Sequence, residues 1–231
     1  MTKTTVNEQQ PDVPRQSSGK YAGKEASTRQ RERKAKLLSA GIKLIGRGGF
    51  AATSIDAVCT EAGLTKRYFY ESFTNSEELL REAYQAVTQE LINSILKKAG
   101  PYLNDSRKLV NVGIHQTFTF VAENPDKGRL IMIEAMSVRS QIGREYGKSY
   151  GEFVKLLVGF TKPFLPGDGP GDEILAVMAR GAIGSLIHLC QVWIATDFKQ
   201  PIEELVTGTE YIFRGMGRDL GIPGWSETLD R

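Results

Sequence analysis

The sequence predicts an all-α protein: a three-helix helix-turn-helix domain followed by a larger helical domain. Three observations carry that prediction. Apolar residues recur at spacings of three and four along most of the chain, the period of one helix face. No alternating run long enough for a strand appears. Breakers divide the chain into helical lengths: Gly48-Gly49, Gly63, Gly100-Pro101, Asn124-Pro125 and PGDGPGD at 166–172.

Residues 1–27 are rich in Gln, Ser, Gly, Pro, Lys and Thr and nearly devoid of large apolar groups. Such a stretch buries too little surface to offset ordering, so a disordered basic arm is expected, either reaching along DNA or a flexible leader. Helical patterning begins at Thr28. Arg29, Arg31 and Arg33 make its start basic, and Leu37, Leu38, Gly41, Leu44 and Ile45 then form a stripe that ends at Gly48-Gly49.

Thr53 precedes a short amphipathic run with Ile55, Val58, Cys59 and Ala62, and Gly63 follows where that helix should stop. Thr65 offers an N-cap for a second short helix, with Lys66, Arg67, Tyr68 and Tyr70 on one side and Phe69 and Phe73 on the other. Two short helices about a glycine turn, from Ser54 to Phe73, read as a helix-turn-helix. Lys66, Arg67 and Tyr68 stand at the end that meets base edges; Thr53, Thr65 and Tyr70 suit phosphates, and the arginines at 29, 31 and 33 add backbone contacts. Charge agrees with this placement. Residues 1–98 hold 16 Lys and Arg against 11 Asp and Glu, whereas residues 99–231 hold 14 against 16.

Asn75 with Glu78 three residues on announces the next helix, whose stripe from Leu79 to Ile95 runs some six turns and completes a domain at 28–98. Residues 99–231 read as a helical ligand-binding and dimerisation domain. Its segments are 106–123, 126–138, 141–164, 173–195 and 201–218, ending in an irregular tail. His115, Phe118, Met132, Met136, Tyr150, Phe153 and Trp193 are candidate pocket residues, set against ordinary core packing for each. Ile183, Leu186, Ile187, Cys190 and Trp193 wrap more of their helix than one core requires, and are candidates for dimerisation.

An enzyme is not expected. Both histidines, His115 and His188, lie on mostly apolar helices, and no nucleophile elbow, phosphate loop or zinc motif is present. Cys59 and Cys190 read as buried thiols, without metal spacing. No metal or cofactor is expected. The N-terminus lacks an apolar signal core, and Ala182 to Ala195 is too short to span a membrane, so a cytoplasmic protein is expected.

Residues 28–98 resemble the N-terminal domain of the TetR (tetracycline-repressor-like) family of bacterial transcriptional regulators. The resemblance rests on the basic-then-apolar first helix, GGFAATSIDAV, AGLTKRYFYESF and SEELLREAY. Thr53, Ala62-Gly63, Tyr70 and Phe73 match positions that recur in that family. Ser72 stands where His or Tyr is common, and Ser76 where a Lys often touches phosphate, which leaves that contact to Lys66 and Arg67. The resemblance implies a homodimer on a palindromic double-stranded DNA operator, pairing through its last two long helices. It also implies a repressor released by a small, apolar effector. Two other readings stay open: a DNA-binding regulator controlled by a protein partner or by its level alone, and a helical enzyme or carrier with a purely structural helix-turn-helix.

Overall fold

The computed structural model describes residues 18–135, 142–167 and 169–225, with the side chains of all but 18–26 and 142–146. Among these residues every regular element is helical. In chain order they are α1 (Ser18–Gly48), α2 (Ile55–Ala62), α3 (Lys66–Tyr70), α4 (Ser76–Ala99), α5 (Ser106–Glu123), α6 (Pro125–Arg129), α7 (Ile142–Thr161), α8 (Asp172–Ala195) and α9 (Ile202–Asp219). A π-helical turn, Leu130–Glu134, continues α6.

The N-terminal unit closes on a small core of Leu37, Ala40, Val58, Cys59, Phe69, Phe73 and Leu79. Local signals build it. Ser54 caps α2 by accepting from the Ala57 N–H at 3.2 Å, and Gly63 ends it in the left-handed region at φ 64°. Asn75 caps α4 by accepting from Glu78 N–H, while the Glu78 carboxylate reaches back to the Thr74 N–H at 2.6 Å. That reciprocal pair is the expected capping box, with the return bond made one residue early, and the Thr74 N–H holds the Glu78 carboxyl below its usual range.

α1 differs from its expected start. It is helical from Ser18, so residues 18–27 are not a disordered arm; residues 1–17 lie outside the described residues. Once a helix is nucleated each added residue gains a hydrogen bond, so a polar stretch is carried along without a core of its own. The far end of α1 serves the second unit. Ile45 belongs to the large core formed with Leu80, Val87, Phe118, Val121, Leu130, Trp193 and Ile194.

α1 and α6 approach unusually closely at Gly46. A Cβ there would come within 2.1 Å of the Asp126 carbonyl oxygen, and Arg47 Nε donates to Asp126 Oδ2 at 2.9 Å one residue on. Because the obstacle is backbone, Gly46→Ala is expected to force the units apart and cost about 1–3 kcal/mol, read as a lowered urea midpoint.

In the second unit α5 packs between α4 and α9, and α8 rests on α7, α9 and the α6 region. α8 has 24 residues and is by length and composition apolar enough to cross a membrane, which corrects the estimate from residues 182–195 alone. Here its inner face is packed in the protomer. That same packing occupies the dimerisation candidates: Ile183, Cys190 and Trp193 are buried in the chain's own core, while Leu186 and Ile187 are half-buried beside it. Burial also pushes the Cys190 thiol up to about 12. The face of α8 left to solvent is the opposite one, with Ile174, Val177 and Val192.

The described part of the tail, residues 221–225, is irregular as expected but firmly held. α9 ends with Gly221 at φ 68° and paired bonds from Gly221 N–H to the Arg218 oxygen and from Ile222 N–H to the Gly217 oxygen. That turn brings Trp225 back onto α9 over Gly217, with its indole N–H donating to Ser106 Oγ at 2.7 Å.

Candidate nucleic-acid interface and cavity

α3 is held by its buried side: Phe69 is fully enclosed and Phe73 nearly so, with their rings 5.6 Å apart. The other side is open. Thr65 takes the N-cap position but its side chain makes no capping bond, and it is exposed with Lys66, Arg67 and Tyr70. Thr53 is placed differently, half-buried and donating its hydroxyl to the Gly49 oxygen at 2.8 Å, so it braces the turn before α2.

The basic side chains of this face are already engaged. Lys66 Nζ pairs with Asp56 on α2 at 2.8 Å, and Arg67 Nε with Glu71 one turn on at 3.0 Å. Asp56 raises the Lys66 ammonium above its ordinary value. Lys43 on α1 pairs with Glu61 on α2. Arg33 lies over the Tyr68 ring, 4.0 Å from its centre, which joins α1 to α3 and covers one face of that ring. Arg29 and Arg31 are exposed along α1; Arg31 reaches only the Ser27 oxygen and Thr28 hydroxyl, both at 3.4 Å. Exposed pairs of this kind are worth roughly 0–1 kcal/mol, so a phosphate or guanine edge exchanges for them at little cost. Sequence reading found the cations and missed their partners. Arg67–Glu71 was available from i,i+4 spacing, whereas Lys66–Asp56 crosses the turn and needs the fold.

A cavity of about 160 Å³ lies in the second unit among α4, α5, α7 and α8. Its wall is almost wholly apolar, with Leu91, Ile95, Ile114, Phe160 and Phe213 typical of it. Of the expected pocket residues, Met132, Tyr150 and Phe153 line it. His115 does not: it is exposed, with Nδ1 3.2 Å from the Thr119 hydroxyl. Phe118 and Trp193 pack edge to face in the core, 5.8 Å apart, and are not on the wall. Met136 lies outside the described residues. Ile183, Leu186 and Ile187, expected at a dimer interface, line the cavity.

The cavity and the first unit share one element. The π-helical turn carries Ile131 and Met132 on the cavity wall. Two residues on, the Glu134 carboxylate accepts from the Phe50 N–H at 2.9 Å, in the turn that leads into α2. Gln191 of α8 donates to the Met132 carbonyl at 2.8 Å, satisfying a group that the widened turn exposes.

A basic exposed short helix on a glycine turn, set on an all-α body, defines the class of helix-turn-helix transcription regulators. Comparison with known proteins agrees. Residues 37–83 match the model described as bacterial regulatory proteins, tetR family. Over 169 residues the chain is 38% identical to the uncharacterized HTH-type transcriptional regulator YerO of Bacillus subtilis (strain 168), covering 68% of this chain and 56% of that protein. The chain thus spans little more than half the length of that curated relative. Two solved structures share the fold at low identity. The fatty acid degradation regulator FadR from Bacillus halodurans has a TM-score of 0.68 at 14% identity, covering 78% of this chain and 93% of that one. FadR from Bacillus subtilis in complex with stearoyl-CoA has 0.65 at 13%, covering 77% and 96%. Residues 37–83 of this chain are thus a tetR-family regulatory segment, set in a chain that shares the fold of regulators of that family.

Proposed function

We propose that this protein represses transcription by binding a palindromic operator as a homodimer, and that a small apolar molecule in the cavity releases it. The observation that carries this reading is the shared π-helical turn, with Ile131 and Met132 on the cavity wall and Glu134 bonded to the entry of α2. A ligand that binds the two states of such an element with different affinity shifts DNA binding by that difference. A solved structure that shares this fold at 13% identity holds stearoyl-CoA, whose acyl chain is apolar, and that supports an effector with an apolar part. The cavity as it stands is of a size for a far smaller molecule: an engineered cavity of about 150 Å³ takes benzene.

The dimer is assigned to the outer faces of α8 and α9. Ile174, Val177 and Val192 on α8 and Tyr211 and Ile212 on α9 make five of the nine exposed large apolar side chains among the described residues, which supports this placement. Gly181 and His188 continue the same stripe at helical spacing.

For base reading, Arg67 is the principal donor, with Lys66 beside it, Thr65 and Tyr70 holding phosphates and Tyr68 buttressed by Arg33. Arg67→Ala is expected to weaken specific binding by about 1–3 kcal/mol and relax base preference, measured by anisotropy on an operator selected from random sequence. An unchanged preference removes Arg67 from the reading role. Release is tested by screening apolar compounds for a thermal shift and then for loss of operator binding. Compounds that stabilise the protein yet leave the operator bound would favour control by a partner or by level alone.

A further inference from the structure

Helices dispose of a threonine hydroxyl by giving it to the carbonyl one turn back. Thr60, Thr117, Thr161, Thr196 and Thr209 all do so, at 2.7–2.9 Å. Thr88 on α4 does not. It is 4% exposed, it lines the cavity, and its Oγ1 is buried with no hydrogen-bond partner among the described residues. Its surroundings offer little that water could use. Across the cavity the Thr117 hydroxyl is committed to the Gly113 oxygen and the Tyr150 hydroxyl to the Arg180 oxygen at 2.6 Å, and most of the remaining wall is aliphatic or aromatic. A buried water needs two to four polar partners, which this wall does not supply.

Resting on the reading of the cavity as the effector site, we propose that the effector is a compact apolar molecule with a single hydroxyl or carbonyl oxygen. Thr88 Oγ1 is the group that bonds it and sets specificity. A volume of about 160 Å³ admits a ring or short branched chain. Anything longer leaves between α4 and α7, where Ile92, Leu96, Leu156 and Phe160 line both the cavity and a surface depression rimmed by Gln89, Glu152 and Lys155. A site with a polar group buried in its wall discriminates against an analogue that leaves the group unpaired.

The test uses a matched pair of probes, p-cresol and toluene, titrated calorimetrically into the full chain. The ratio of their dissociation constants is compared between wild type and Thr88→Val, which removes the hydroxyl at nearly constant shape. The ratio is expected to move toward toluene by about fivefold. Thr88→Ser, which keeps the hydroxyl, should hold the wild-type ratio, and Thr88→Ala serves if the Val variant does not fold. Both probes binding with an unchanged ratio would overturn the role of Thr88 while leaving the cavity reading intact. Failure of both probes to bind wild type at millimolar concentration would overturn the cavity reading and the role of Thr88 together.

Discussion

Trp225→Ala should lower stability by about 3–5 kcal/mol, a fall in Tm of roughly 10 °C for a chain of this size. The indole is 6% exposed, lies over Gly217 of α9 and reaches Ser106 at the start of α5. Its removal opens a cavity and leaves the buried Ser106 hydroxyl without its donor, so transfer and hydrogen-bond losses add. Trp225→Phe separates the two, keeping most of the packing at a cost of about 1 kcal/mol for the bond. Urea unfolding of the three proteins checks this. A loss under 1 kcal/mol for the alanine variant would mean that the tail is not part of the cooperative core.

A larger effect on DNA binding is expected from the double change Val177→Glu with Val192→Glu. These residues are 60% and 47% exposed on the outer face of α8, so the protomer should fold unchanged. Charges on that face should leave a monomer in sedimentation equilibrium. Operator affinity should fall by about 10²–10⁴-fold, because the second half-site is then no longer engaged at high effective concentration. A variant that stays dimeric would place the interface on another surface. Trp193, by contrast, is buried, and its substitution would report on the core rather than on assembly.

The contrast between Val177 and Trp193 shows what sequence could decide. α8 is apolar on both faces, so periodicity identifies a helix but not its inward side, and the more bulky face went to the protomer. The end of α2 and the start of α4 were legible because Gly63 and Asn75 act through bonds within a few residues, whereas the Ser54 cap was missed and Thr65 takes its N-cap position without a side-chain bond. The π-helical turn was not, since LIMIE is an unbroken apolar run that fits several helical windings. Met132, Tyr150 and Phe153 were found at the cavity by their size and chemistry. Thr88 was missed, because a small polar residue in a helix becomes informative only when its missing bond is seen.

The ion pairs on α2 and α3 also bear on how such a protein travels along a genome. With Lys66 paired to Asp56 and Arg67 to Glu71, these cations enter each encounter with DNA from an exposed ion pair that a phosphate displaces at little cost. Each contact, whatever the sequence, exchanges one partner of the cation for another. The carboxylates thus temper the charge this face presents to any phosphate without preventing contact.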